Sequence, residues 1–469
     1  MQPLIWLLSG QILQLAVIVL SLAKFYTDYI LNIMLRKFFS GLVALIFIAL
    51  GNSFSASSKV YVDSLQAGSQ YMAYPVPVYG IPELSPSPQG FEPFHMEHYG
   101  RHGSRWRIHP ETYAVAVEVL RKAADNDALT PRGMQLLEEI QVMANDSKGR
   151  LGELTPLGHR QHRGIAARMA RNFPELFSDS TILDAKSTEV IRCILSMANE
   201  VAEFQKLVPG MNITMDASQT TQNILNFNPN DPVVYRLAYE AKPVASAYRN
   251  SLPKPEAFFN KVFSNRSFVA DSIGEDKAFK AIFDLAVNVQ SHDDYPFIYD
   301  VFTPEELSNE WLARNAEWYI RVGNTPLTNN RTPYNQRVLL RSIIESADTA
   351  MLSPLKSVNL RFGHETMLIP LSVLMELNNA AYETSDLSTL ADNWRAYEIF
   401  PMGGNIQMVF YRPEGDAPYT ADDILVKVLL NEAEATLPVT PAFGNYYRWK
   451  DLRDFYIDKL DSFASRFEE

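Results

Sequence analysis

The stretch that decides the fold is "EPFHMEHYGRHGSRWRIHP", residues 92 to 110, which holds four of the chain's eight histidines and three of its arginines. Phe91, Phe94 and Met96 introduce a short apolar segment, which predicts a strand ending near Tyr99. The polar group "RHGSR" (101–105) then stands at the C-terminal end of that strand, where open α/β sheets bind ligands. Three readings compete for so much imidazole and guanidinium in one place: a metal site, a phosphate site, or a polar turn.

Helices follow outward from this motif. "PETYAVAVEVLRKAA" from Pro110 places Tyr113, Val117 and Leu120 on one face, and Thr130-Pro131 and Thr155-Pro156 each pair an N-cap residue with proline at the first helical position. "STILDAKSTEVIRCILSMANEVAEFQKL" reads as a strand from Thr181 to Ala185, a turn at Lys186-Ser187-Thr188, and a long helix with Arg192 in its first turns. From about 216 to 349 helical signals dominate. Thr303-Pro304-Glu305-Glu306 is a capping box opening a helix whose Trp311 and Trp318 read as core packing. Strand character returns in "SVNLRFGHE", where Val358, Leu360 and Phe362 alternate before an apolar helix from about Met367. "NIQMVFY" (405–411) and "ILVKVLLNE" (424–432) add further strands. This order predicts an α/β domain with a central, mostly parallel sheet, residues 59–215 and 350–469, interrupted by a mainly α-helical insertion, 216–349. Residues 60–90, rich in Pro, Ser and Gly, predict an extended lead-in without regular structure.

Composition narrows the function classes. With 42 Lys plus Arg against 54 Asp plus Glu, the 469-residue chain carries a formal charge of -12, which argues against nonspecific nucleic-acid binding. An anionic ligand therefore needs a local basic pocket, and no protein partner is implied. Arg36 and Lys37, an apolar run from Leu42 to Leu50 and then small residues give 34–58 the layout of a signal peptide, so export to the periplasm, cell envelope or medium is expected. Residues 1–33 form an apolar extension; the simpler expectation starts translation at Met34, while the run from Leu4 to Ala23 is about long enough to anchor the chain in a membrane. The single cysteine, Cys193, permits no intrachain disulfide, so stability must come from packing.

On the metal reading, His95, Glu97, His98 and His102, joined by His159 and His162, would form a ligand cluster. Residues 95 and 98 point to opposite faces of a strand, however, and the set has no recognisable ligand order. The phosphate reading is better. An arginine on each side of a histidine, with Gly103 freeing the backbone, suits imidazole attack on phosphorus while guanidinium groups hold the charged oxygens. Two more strand ends carry compatible residues, Arg192 after "AKSTEVI" and His364-Glu365 after "VNLRFG". His98, His109, Arg107, Lys186 and Arg361 lie near enough in sequence to line the pocket or add positive potential.

These segments resemble the branch-two histidine phosphatases, which include histidine acid phosphatases and phytases, and most closely the multiple inositol polyphosphate phosphatases among them. "HYGRHGSRWRIHP" resembles the family's nucleophile motif and "GELTPLGHRQHRGIAARM" (152–169) its Leu-Thr-x-x-Gly-x-x-Gln helix. "STEVIRCILSM" is similar to its third-arginine segment and "RFGHETMLIPL" to its second-histidine segment, while "FPMGGNIQMVFY" and "VLLNEAEATLP" point to the inositol-phosphate branch. The resemblance implies His102 as a nucleophile forming a phosphohistidine, Arg101, Arg105, Arg192 and His364 gripping the phosphoryl oxygens, and Glu365 as general acid. It implies no cofactor and no metal, and a small phosphorylated substrate, an inositol polyphosphate such as phytate. A broad-specificity phosphatase or a weakly catalytic relative that binds phosphate esters is the alternative. One departure stands out: phytases carry His-Asp and inositol polyphosphate phosphatases His-Ala-Glu where this chain has His364-Glu365-Thr366.

Overall fold

The computed structural model describes residues 62–75, 80–225, 231–415 and 419–468; the expected signal peptide and the stretch before it lie outside these. Strand β1 (Phe91–Arg101) is buried from Pro93 onward, so both of its faces are covered, and it lies inside an eight-stranded sheet. Three helices follow: α1 (Pro110–Ala124), α2 (Pro131–Asp146) and α3 (Pro156–Asn172). The Thr-Pro signals start α2 and α3 as expected, with the Thr130 and Thr155 hydroxyls accepting from the Gly133 and Gly158 amides. Such caps contribute about 1 kcal/mol each.

Next come β2 (Ile182–Ser187), α4 (Ile191–Leu207) and β3 (Asn212–Asp216). The described residues up to the next strand are mainly helical, including α5 (Pro232–Ser251), α6 (Glu275–Ala286), α7 (Pro304–Val322) and α8 (Arg337–Met351). The Thr303 capping box opens α7, and both of its tryptophans are buried. Then follow β4 (Ser357–Gly363), α9 (Glu365–Leu374), β5 (Asn405–Pro413), β6 (Leu425–Leu430), the short β7 (Ala433–Glu434) and β8 (Tyr447–Arg448), and α10 (Trp449–Asp461).

The strand order is β3-β2-β4-β1-β5-β6-β7, with β8 also pairing β6. β3, β2, β4 and β1 are mutually parallel, as expected; β5 and β6 run antiparallel to their neighbours, so the sheet is mixed. The connection from Pro413 to Leu425 is too short for the crossover helix a parallel partner needs. One core cluster joins α3 and α4 to the sheet through Ile165, Met169, Cys193 and Leu183. Another joins α8, α9 and α10 to it through Leu340, Leu368, Met408 and Trp449. Truncating one such side chain to alanine costs about 2–5 kcal/mol.

The lead-in differs from expectation. Residues Gln66–Tyr71 form a 3-10 helix that packs against α7 and the short helix Ala396–Ile399, with Ala67 and Tyr71 in the core, so this segment is part of the body. Its Val62, Ala67, Tyr71 and Met72 supply apolar anchors that the surrounding prolines and serines mask in composition.

Candidate active site

Register places the site. Arg101, the last residue of β1, pairs with Gly363 of β4, and Ser187 of β2 pairs with Phe362, so three parallel strands end at one level. The backbone beyond them is tied across: the His102 amide donates to the Gly363 carbonyl (3.0 Å), Thr188 to Phe362 (3.0 Å) and Arg101 to Gly404 (2.8 Å). The N-terminal end of α3 clamps the loop from the other side. Gln161 Oε1 accepts from the Ser104 amide at 2.7 Å, and the Thr155 amide donates to the Ser104 carbonyl at 2.9 Å. A Cβ on Gly103 would come within 2.7 Å of the Gly158 carbonyl oxygen, so only glycine permits this approach. From α4, Ser196 Oγ accepts from the Gly103 amide at 3.2 Å.

His102 is fully buried, and its Nδ1 lies 3.0 Å from the Gly103 carbonyl. A carbonyl only accepts, so Nδ1 carries the proton and Nε2 keeps its lone pair. Burial first, and then the charges of Arg192, Arg101 and Arg105, drive the His102 pKa well below the usual imidazole range against the opposing pull of Glu365. The ring is therefore neutral and nucleophilic at Nε2, which faces Glu365 Oε2 at 3.6 Å.

Three arginines surround it. Arg101, fully buried, donates from Nε to Glu365 Oε2 (3.1 Å) and from Nη1 to the carbonyls of Gln70 (2.7 Å) and Phe400 (2.6 Å). Arg105 donates from Nη1 to the Trp106 carbonyl (3.0 Å), and Arg192 directs Nη2 at His364 Nδ1 (3.4 Å). Among the described residues, Arg101 Nη2, Arg105 Nε and Arg192 Nε meet no protein partner although buried. Burial, opposed by Glu365 and reinforced by Arg105, depresses the Arg101 pKa; burial and Arg105 do the same to Arg192. Three guanidinium groups against one carboxylate leave two net positive charges and buried donors pointing inward, which suits a dianionic phosphoryl group.

His364 is the N-cap of α9 and Glu365 its first residue, so a helix N-terminus adds partial positive charge. An arginine only donates, so His364 Nδ1 accepts from Arg192, and Nε2–H donates to Thr188 Oγ1 at 3.2 Å. Burial and the Arg192 charge push the His364 pKa down to about 3. The acid role expected of Glu365 suits a raised pKa, yet here the direction is the reverse. Burial pushes its carboxyl up, but the positive charges of Arg101 and Arg105 outweigh it and hold the group well below the usual carboxylate range.

All six residues expected at the site thus meet at the three strand ends. Sequence reasoning missed Gln70 and Tyr71, whose carbonyl and ring back the arginines: the Tyr71 ring lies under Arg107 (4.5 Å) and Arg105 (5.4 Å). Thr188, Ser196 and Gln161 also act as supports that were not singled out for these contacts; their signal lay in the quoted helix and strand-end segments. Of the weaker candidates, His98 is buried against Phe362 with its pKa pushed down to about 3 by burial, and His109 is exposed. Arg361 pairs with buried Glu97, Lys186 with Asp184, and Arg107 lines a cavity beside the site.

The histidines weighed for a metal cluster disperse: His95 bonds Glu97 (2.9 Å), His159 bonds Asn199 (2.7 Å) and His162 bonds Glu200 (2.8 Å). Burial keeps that last pair neutral, pushing Glu200 well above and His162 down to about 3. Among the described residues, the only metal-sized group is His102, His364 and Glu365, with ligand atoms within 4.8 Å of one another. The flanking guanidinium groups oppose a cation there and match an anion.

A cavity of about 610 Å³ adjoins the site, sharing Gln70 and Arg107 with its wall and reaching Trp318, Arg314 and Lys280 on the helical side. Its charges alternate, since Arg314 bonds Glu310 (2.7 Å) and Asp284 (2.8 Å), and Lys280 bonds Asp284 (2.8 Å).

The model of the histidine phosphatase superfamily (branch 2) matches residues 101–431. The fold is similar to that of the Bifidobacterium longum multiple inositol polyphosphate phosphatase in complex with phosphate, with a TM-score of 0.68 at 17% identity over 84% of this chain and 97% of that one. The same protein in complex with inositol hexasulfate gives a TM-score of 0.64 at 17% identity over the same shares. The phytase from D. castellii gives 0.59 at 14% identity over 87% of each chain. No curated protein matches the sequence significantly.

Proposed function

Since the chain belongs to branch 2 of the histidine phosphatase superfamily, we propose that it is a phosphomonoesterase acting on inositol polyphosphates through a covalent phosphohistidine at His102. The observation that carries this reading is buried His102, its Nδ1 3.0 Å from the Gly103 carbonyl, at one site with Arg101, Arg105 and Arg192, each of which keeps a buried donor that meets no protein partner among the described residues. Nε2 attacks phosphorus while the ester P–O bond breaks, and Arg101, Arg105 and Arg192 neutralise the phosphoryl oxygens. The leaving oxygen takes a proton from Glu365; water then attacks the P–N bond, giving its proton to the Glu365 carboxylate and releasing phosphate and His102.

The depressed pKa of Glu365 fits this cycle when substrate is counted. A bound dianion cancels the two net positive charges that hold the carboxyl low, and the proton arrives with the substrate monoanion, whose second pKa is about 6. Support for the inositol ring comes from the sequence of the C-terminal segments and from the inositol hexasulfate complex of the Bifidobacterium protein. We also propose export, supported by the signal-peptide layout of residues 34–58.

Phosphate release from inositol hexakisphosphate, in buffer containing a chelator and across a pH series, tests the reading. Release that disappears in His102→Ala is expected. Turnover of simple phosphomonoesters without release from the hexakisphosphate would discard the inositol substrate, and release retained by His102→Ala would discard the mechanism.

A further inference from the structure

Helix α9 begins without a cap of its own. Its N-cap residue, His364, turns its ring to Arg192 and Thr188 and makes no side-chain bond to the amides of the first turn, and Met367 stands where a capping box has its glutamate. The main chain is held instead from another strand. Tyr99 Oη accepts from the His364 amide at 2.9 Å and donates to the His364 carbonyl at 3.1 Å, so one hydroxyl brackets the residue between β4 and α9. The Tyr99 ring is buried in the same core as Met367 and Leu368. Burial pushes its pKa well above the usual phenol range, which keeps the proton that the second bond needs. A Cβ on Gly363 would come within 2.4 Å of Tyr99 Oη, so the glycine admits the hydroxyl.

Strand alternation puts Tyr99 and Arg101 on one face of β1. From that face Tyr99 fixes the backbone that leads into Glu365, and Arg101 Nε holds the Glu365 carboxylate at 3.1 Å. His102 follows at the same strand end, with Nε2 3.6 Å from Glu365 Oε2. One strand thus carries the expected nucleophile and sets the place of the expected acid. We infer that Tyr99 is a positioning residue for the phosphatase reaction, its hydroxyl fixing the turn at His364 so that the Glu365 carboxyl reaches the leaving oxygen at His102. The inference rests on the reading of Glu365 as proton donor, and the arginine grip on the phosphoryl group stands without it.

Tyr99→Phe removes one oxygen and keeps the ring. On ethyl phosphate, whose alkoxide needs a proton, kcat/KM should fall about ten- to hundredfold, the order expected when a reacting group shifts by up to about 1 Å. On p-nitrophenyl phosphate it should fall less than about threefold, and inhibition by inorganic phosphate should hold within the same factor. Added to Glu365→Gln, Tyr99→Phe should lower kcat/KM no more on ethyl phosphate than on p-nitrophenyl phosphate. Equal losses on the two esters in Tyr99→Phe would reduce the hydroxyl to a structural role and overturn the inference. So would an unchanged kcat/KM on ethyl phosphate, or a selective loss that persists in the Glu365→Gln background. Should Tyr99→Phe not fold, Gly363→Ala displaces the same hydroxyl and should show the same selective loss; equal losses there overturn the inference too. A wild-type chain that hydrolyses neither ester nor inositol hexakisphosphate fails the phosphatase reading, and equal losses on the two esters in Glu365→Gln fail the proton-donor assignment alone; either takes the inference with it.

Discussion

Replacing Glu365 by glutamine tests the proton-transfer step with little disturbance elsewhere. Glu365 Oε2 accepts from Arg101 Nε at 3.1 Å, a bond that a glutamine carbonyl also accepts, and Arg101 keeps its bonds to the Gln70 and Phe400 carbonyls. What disappears is the proton source and one negative charge among three guanidinium groups. General acid catalysis contributes about 10²- to 10⁴-fold, or roughly 3–5 kcal/mol at 1.36 kcal/mol per decade. That loss should fall on substrates whose leaving oxygen is strongly basic. For Glu365→Gln, kcat/KM on an alkyl phosphate, which reports the step that releases the alcohol, should therefore drop about 10²- to 10⁴-fold. On p-nitrophenyl phosphate, whose phenolate leaves without a proton, it should drop by less than about tenfold. Burst kinetics on the aryl ester, with fast nitrophenolate release and slow phosphate release, would show that water activation also uses this carboxylate. Equal losses on both substrates would refute the assignment of Glu365 as proton donor to the leaving group.

Other outcomes follow from the same geometry. Because Glu365 is held as a carboxylate in the free site, the transferred proton comes with the substrate monoanion, so kcat/KM should fall about tenfold per unit above a pH of about 6; a plateau to pH 8 in a rate profile would contradict this. Inorganic phosphate at a hundred times its Kd should stabilise the fold by about 2.7 kcal/mol, raising Tm by about 3 °C in a thermal melt, and Arg192→Met should weaken that response. The Glu97 carboxyl, pushed up by burial but brought down to about 2 chiefly by Arg361, stabilises the fold above the unfolded-state pKa of about 4 and loses this contribution as pH falls toward 2. Arg361→Met should cost about 3–5 kcal/mol at neutral pH by denaturant titration, because it strands a buried charge.

Much of this architecture is written in local chemistry. The Thr-Pro caps, the Thr303 capping box and the alternation of Val358, Leu360 and Phe362 each carry their own physical reason, and each element forms where that reason operates. Arg101, His102, Arg192, His364 and Glu365 were legible because each stands at or just after a strand whose end is marked by pattern. Their convergence depends on the register that sets Arg101 against Gly363 and Ser187 against Phe362, which sequence spacing does not contain. Gln70 and Tyr71 were invisible because a main-chain carbonyl leaves no sequence trace and the ring sits in a Pro- and Ser-rich window. The antiparallel pairing of β6 with β5 follows from the short connection between them, and strand signals alone do not give the direction of β5 against β1. The low pKa of Glu365 depends on three guanidinium groups from separate segments, so no single motif announces it.

The most direct test is an acid-free quench of the wild-type chain milliseconds after mixing with a ³²P-labelled phosphomonoester, with the protein then digested under alkaline conditions that preserve phosphohistidine. Label on the peptide carrying His102, within one equivalent of chain, decaying at the rate of phosphate release and missing from His102→Ala, is the predicted result. Turnover without labelled protein, or label that persists in His102→Ala, would contradict a covalent phosphohistidine at this site.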